Sequence, residues 1–406
     1  VYLRLLRTNR DFRLLYLATL ISLGGDWFLT VALLDLVLQL TASATLVSAV
    51  LLFQTLPVFL FTPHAGHLTD RIDRRKLMIA VDLLRIGACL LPLLARTPAM
   101  LPFAFAGVFL ISVGSAYFEP ASQAALPNLV SGEELAAANV LMGSTWGTML
   151  AAGAAIGGAV TMLFGRDASF LFDAFSFGVS ALLLTRMRGR FSEERDSSHA
   201  HPPFFESLRE TFRFARTHPR VLGLLTVKGG YGLGAGVVAM LGVFGKEVFG
   251  AGAWGIGLLF AARGVGALLG PFLLRGGLRT DDARYRAIAF CVLAFGAGYI
   301  GLALSPSLAV GFSAILFAHL GGGAAWQVST YGLQREVPDA IRGRIFSADY
   351  GFATLTMALS ALATGIAGDR VGPTIATMAT GSVCLLFGLV WAIATWRLWT
   401  RTTTLT

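Results

Sequence analysis

Charged side chains are scarce in this 406-residue chain: Asp, Glu, Lys and Arg together make up 14% of it, where an average soluble domain carries about 25%. That shortage excludes a disordered chain, which stays solvated through charge, and an ordinary cytosolic enzyme. Cysteine is scarcer still. Cys89, Cys291 and Cys384 all lie inside apolar runs without metal-ligand spacing, which excludes a disulfide scaffold and a zinc module. The six histidines are dispersed, and His199 and His201 are too sparse for a metal site, so no metal is expected. No Gly-x4-Gly-Lys-Ser/Thr loop occurs, which removes ATP-driven chemistry. No His/Asp or Ser/His constellation gathers at one depth, so a membrane-embedded enzyme is only a remote alternative. The net charge of +9 sits in short clusters between apolar runs rather than on one solvated face, so nucleic acid is not an expected partner.

What the chain has in abundance is apolar surface. Hydrophobic residues account for 55% and glycine for 47 positions, and the mean hydropathy is +0.69. The glycines are spread through the apolar runs, as membrane helices tolerate. About 20 apolar residues span a bilayer. On that scale twelve spans are expected, at 14–38, 44–65, 77–95, 100–118, 139–163, 169–186, 221–243, 253–275, 287–304, 308–330, 350–368 and 373–395. All must be helices, because an open strand in lipid leaves backbone groups unpaired. The lipid bilayer is therefore a partner of the whole chain.

The basic residues set an orientation. With the N-terminus in the cytoplasm, 26 of the 32 Lys/Arg fall on the cytoplasmic side, including Arg85 counted with the Arg71–Lys76 cluster. This predicts both termini inside. The longest break, 187–220, separates an N-terminal six-helix bundle (1–186) from a C-terminal one (221–406). Its second part, from Phe204 to Phe214, repeats aromatics and charges at helical spacing, which predicts an amphipathic helix on the membrane surface. The halves echo each other at offsets near 210, as a six-helix duplication would give. Such repeats place a binding site near the midplane between them.

Ionisable residues at mid-depth cost roughly 2.5–3.5 kcal/mol each on insertion scales, so each asks for a function or a partner. Asp26, the midpoint of span one in Gly24-Gly25-Asp26-Trp27, suits a group that loads and releases a proton. Asp35 lies nine residues on, on the other side of that helix and near its outer edge, where water can solvate it. Asp173 reads as a structural residue near the start of span six, and Asp82 as the partner of Arg75, Arg85 or a nearby loop. In the second half Arg263 stands at mid-depth in span eight, to neutralise an acid such as Asp26 or to hold an anionic group of a substrate. Lys228 lies about 10 Å into span seven at 1.5 Å per residue, near enough to the inner interface to snorkel back to it. Gln54 in span two and His319 and Trp326 in span ten complete the candidate cavity lining.

The loop Gly66-His67-Leu68-Thr69-Asp70-Arg71-Ile72-Asp73-Arg74-Arg75-Lys76 resembles the signature loop of the major facilitator superfamily. Asp73 stands where the second glycine is usual, as in the branch that holds macrolide and enterobactin-type siderophore exporters. Asn9-x-x-Phe12-Arg13, Phe118-x-Pro120-Ala121, Leu126-Pro127, Asp173-Ala174-x-Ser176-Phe177 and Val337-Pro338-Asp339-x-x-Arg342-Gly343-Arg344 resemble that branch too. The resemblance implies an all-α integral membrane protein with twelve helices in two pseudo-symmetric bundles. It also implies a cytoplasmic gate of Gly66, Asp70, Arg71, Arg74 and Arg75, with Asp70 at the start of span eleven and Arg74 or Arg75 paired with Glu119. Gly153-Ala154-Ala155-Ile156-Gly157-Gly158 in span five is similar to the antiporter pattern Gly-Pro-x-x-Gly-Gly. Small residues there let two backbones approach closely.

Taken together, these features imply a monomeric, proton-coupled exporter of small amphiphilic molecules in a bacterial cytoplasmic membrane. It would use the proton gradient and no cofactor. A lysophospholipid flippase of the same superfamily is the alternative.

Overall fold

The computed structural model describes residues 2–188, 204–277 and 280–399. Every regular element among them is helical, and twelve helices are long and apolar enough to cross a membrane. These are Arg10–Thr41, Ala44–Thr62, Arg74–Leu94, Pro98–Leu129, Ala137–Phe164, Arg166–Thr185, Pro219–Val248, Gly252–Leu274, Asp282–Ala303, Leu308–Glu336, Arg344–Val371 and Pro373–Trp399, called spans one to twelve below. Each expected span coincides with one of them. Many helices run past the apolar stretch at one or both ends. The expected surface helix is present as Phe204–Thr217; the polar stretch before it lies outside the described residues.

Local chemistry accounts for several helix starts. Asn9 caps span one by accepting from the Phe12 backbone N–H at 3.0 Å, and its amide donates to the Leu129 carbonyl at 2.7 Å. One side chain thus begins span one and fastens it to the end of span four. Asp73 accepts from the Lys76 N–H at 2.9 Å and caps span three. The departure from the usual glycine therefore adds an N-cap and an acid where the helix dipole favours one.

The chain forms two compact units. The first holds residues 1–196 with 242–261, and the second holds 197–241 with 262–406. Inside the first, span one packs on spans five and six, span two on span four, and span three on spans four and six. Inside the second, span seven packs on spans eleven and twelve, and span nine on spans ten and twelve. Span eight meets span ten through Gly266, Gly270 and Gly323. The neighbours of spans one to six thus recur six helices later. The turns recur as well: Gly165 (φ +83°) and Gly372 (φ +88°) sit between spans five and six and between eleven and twelve. Only glycine enters that backbone region freely.

Span seven is not a single α-helix. Pro219–Ala235 gives way to a 3₁₀ turn at Gly236–Ala239 and a π-turn at Phe244–Val248. Its glycines let span eleven in very close: a Cβ on Gly229, Gly232 or Gly236 would collide with Phe352, Thr356 or Ser360. The Ser360 hydroxyl donates to the Leu233 carbonyl at the break. The residues beyond, 242–261, pack with the first unit. There, a Cβ on Gly257 would lie 2.9 Å from Gly158 Cα, and one on Gly158 would lie 2.8 Å from the Ala253 carbonyl oxygen.

Candidate functional site

The first unit buries a polar cluster where spans one, three and six meet. Gly25 lets span six approach span one so closely that a Cβ there would strike both Asp173 and Ser176. Asp173 is fully buried. It accepts from the Cys89 thiol of span three at 3.2 Å and from the Ser176 hydroxyl at 3.3 Å. Two helical turns along the same pair of helices, Asp82 is equally buried. It accepts from the Ser180 hydroxyl at 2.6 Å and lies 3.4 Å from Arg85. The Arg85 guanidinium lies over the rings of Phe118 and Phe177, at 5.4 and 5.0 Å, and span four makes room for it at Gly114. Asp26 is the third carboxyl. It is in the electrostatic field of Arg85, Asp82 and Asp173, and its Oδ1 is buried with no hydrogen-bond partner among the described residues.

Asp173 therefore does more than begin a peripheral helix. It turns inward because span six carries its polar residues 173, 176 and 180 at helical spacing on one buried face. Arg85 belongs with the cluster too, and not with the exposed basic loop: it lies well inside span three and is buried. That spacing of Asp173, Ser176 and Ser180 was the signal available in the sequence. Its meaning depends on span three presenting Asp82, Arg85 and Cys89 opposite.

The other first-unit candidates resolve differently. Asp35 is an ion-pair partner rather than a solvated acid, with Lys246 Nζ at 2.7 Å and Arg166 Nε at 3.8 Å. Gln54 donates to Thr30 Oγ1 at 2.8 Å, linking span two to the turn of span one that follows Asp26. Arg75 does not reach Glu119. It donates to the Leu184 carbonyl at 2.8 Å and to that of Thr185, the last carbonyls of span six, where a cation complements the helix dipole. Arg74 donates to the Ala124 carbonyl at 2.7 Å, while Glu119 accepts from Gln123 at 3.2 Å. The gate positions Gly66, Asp70 and Arg71 are on the helix Ala44–Arg71, but their surroundings lie outside the described residues. Gly153 and Gly157 admit span one, with Cβ positions 3.2 Å from Trp27 Cβ and 2.9 Å from Phe28 Cα. Gly158 admits span eight, so the motif packs helices on two sides.

In the second unit, Lys228 does not snorkel. It is buried and pairs with Asp349 of span eleven, donates to Thr330 Oγ1 at 2.9 Å, and lies 4.7 Å from the Trp326 ring centre. Span eleven passes close enough for this because span seven carries glycine at 229 and 232. Asp349 was not among the expected site residues, since its partner lies 121 positions away. His319 hydrogen-bonds the Tyr299 hydroxyl at 2.8 Å, the partner that a buried imidazole needs. Arg263 lies in the same unit, within the electrostatic reach of Tyr231 and Tyr299. The cysteines are buried and free, and no grouping of metal-ligating residues occurs among the described residues.

The family model described as transmembrane secretion effector matches residues 6–402. The MFS-type transporter YfiS of Bacillus subtilis is 26% identical over 409 aligned residues, covering 95% of this chain and 93% of its own. Macrolide efflux protein A of Streptococcus pyogenes is 22% identical, covering 91% and 92%. Among solved structures, a POT family transporter in complex with 5-aminolevulinic acid superposes with a TM-score of 0.76 over 97% of both chains at 12% identity. That last likeness is one of fold alone. Because one family model runs through nearly every span and these transporters align along almost the whole length, the chain belongs to the transmembrane secretion effector family of the major facilitator superfamily.

Proposed function

We propose that the protein is a proton-coupled secondary exporter of small amphiphilic molecules, working by alternating access with both termini in the cytoplasm. The observation that carries this reading is Asp26. A carboxyl oxygen buried at mid-membrane without a hydrogen bond costs free energy that a purely structural residue would have had removed. Its surroundings suit a group that is neutral when protonated and held by Arg85 when not. Likeness to a macrolide efflux protein supports export as the direction and amphiphiles as the cargo. The excess of Lys/Arg on one side supports the orientation. The closely packed glycines of span five support a helix junction tight enough to hinder a proton leak.

The test is transport in proteoliposomes under an imposed pH gradient. The panel is ethidium, erythromycin, a catecholate siderophore and a spin-labelled lysolipid, and wild type is compared with Asp26→Asn. Gradient-driven movement of a water-soluble amphiphile that Asp26→Asn abolishes is the expected result. Movement of the lysolipid alone, indifferent to both the gradient and the substitution, overturns the reading in favour of a lipid flippase.

A further inference from the structure

The cluster around Arg85 contains more acid than Asp26 alone can explain. Three carboxyls, Asp26, Asp82 and Asp173, surround one guanidinium, so full ionisation would leave two uncompensated negative charges inside a membrane bundle. The acids form levels. Asp82 with Ser180, and Asp173 with Cys89, are two rungs between the antiparallel spans three and six. Seven residues separate the rungs on each helix, about 10 Å at the helical rise of 1.5 Å per residue. Arg85 lies between them on span three, and Asp26 faces the cluster from span one.

The fold does not require these charges. At the matching junction of the second unit, spans seven, nine and twelve meet with Gly234 in the place of Gly25, its Cβ position 2.6 Å from Cys384 and 3.5 Å from Phe295. That junction is filled by Cys384, Phe295 and Val292, all buried. That junction thus closes around Cys384, Phe295 and Val292, with the rings of Tyr231 and Tyr299 against Phe295, where the first unit places three carboxyls and a guanidinium.

We infer that Asp173 and Asp82 are proton-carrying residues, which with Asp26 form a ladder around Arg85 within the first unit. This rests on the proton-coupled reading above and extends it: the coupling proton occupies a shared site of several carboxyls rather than one side chain. A proton on any one of them neutralises an excess charge and frees Arg85 to turn to another. The proton rests on one carboxyl oxygen at a time, and the donors hold the ionised forms of two of the acids: Ser176 and Cys89 that of Asp173, and Ser180 that of Asp82. Among the described residues, no other titratable group faces the cluster from the packed helices of this unit. Span four presents Gly114 and Phe118, while its Tyr117 bonds His64 and its Glu119 bonds Gln123. Span five presents Met149 and Gly153 to span one, and span two presents Gln54 to Thr30.

The experiment is infrared difference spectroscopy of the full chain in lipid bilayers, between mildly acidic and mildly alkaline buffer. Wild type, Asp26→Asn, Asp82→Asn and Asp173→Asn are compared, with Asp167→Asn as an exposed control. Wild type is expected to lose a protonated-carboxyl stretching band on alkalinisation. Asp82→Asn and Asp173→Asn are each expected to remove part of that band and to shift the midpoint of the remainder, because the acids share the field of Arg85. The control is expected to match wild type. Spectra of Asp82→Asn and Asp173→Asn identical to wild type overturn the inference and leave a fixed hydrogen-bonded core. A band that responds to sodium instead of pH overturns it in favour of a sodium site. Should a variant fail to fold, wild type labelled with 13C-aspartate decides: a protonated-carboxyl band that does not shift with the label, or none at all, overturns the inference. The two readings fail separately. A gradient-driven dye efflux without the band sinks the ladder alone, whereas a titrating band without gradient-driven transport sinks the exporter alone.

Discussion

Replacing Lys228 by methionine removes the only cation from a buried ion pair and should be among the most damaging single changes in the second unit. Both side chains of the Lys228–Asp349 pair are at most 4% exposed, and Asp349 Oδ1 already has no hydrogen-bond partner among the described residues. Taking away one partner of such a pair leaves a buried charge uncompensated, at a cost of about 3–5 kcal/mol. The contact of the ammonium with the Trp326 ring, worth about 1–2 kcal/mol when desolvated, goes with it. At 1.4 kcal/mol per factor of ten, the loss amounts to between two and four powers of ten in the folding equilibrium, before the ring contact is counted. Lys228→Met combined with Asp349→Leu removes both charges and should recover most of that loss, since apolar replacements of buried pairs are often neutral or stabilising. The assay is reversible unfolding in mixed lipid–detergent micelles titrated with dodecyl sulfate, followed by tryptophan fluorescence, as a double-mutant cycle. A single substitution costing under about 1 kcal/mol, as an exposed pair would, refutes the argument. So does a double variant no more stable than the sum of its parts.

Two further outcomes follow from the packing. Gly158→Val should prevent a stable fold or cost at least the 1–3 kcal/mol of ordinary overpacking, because even a Cβ there lies 2.8 Å from the Ala253 carbonyl oxygen and 3.0 Å from Gly257 Cα. Gly143→Ala, where a Cβ meets nothing within 4 Å, should be silent, and size-exclusion yield from membranes reads both. Tyr299→Phe leaves the buried His319 Nε2 without its hydrogen bond and should cost about 1–3 kcal/mol. A thermal-inactivation rate unchanged from wild type would show that the pair contributes nothing.

Much of this architecture was legible in the chain alone. Twelve helices follow from run length and the impossibility of unpaired backbone in lipid, and these need no knowledge of which helix lies beside which. The six-helix echo and the close packing of Gly153, Gly157 and Gly158 are local patterns of the same kind. Side-chain pairing is different, because it joins residues far apart in sequence. Asp35 as the partner of Lys246 and Arg166, Arg75 on the end of span six, and Lys228 against Asp349 all depend on which faces the bundle turns together. Asp173 is the clearest case. In sequence it is an acid near the start of one apolar helix, and only the tertiary structure, with Gly25 admitting span six to span one and span three supplying Cys89, Asp82 and Arg85, makes it part of a buried charge cluster. Hydrophobic burial is nearly independent of partners and is written in composition and period. Compensation of a buried charge depends on distance and direction, and those exist only once the helices have packed.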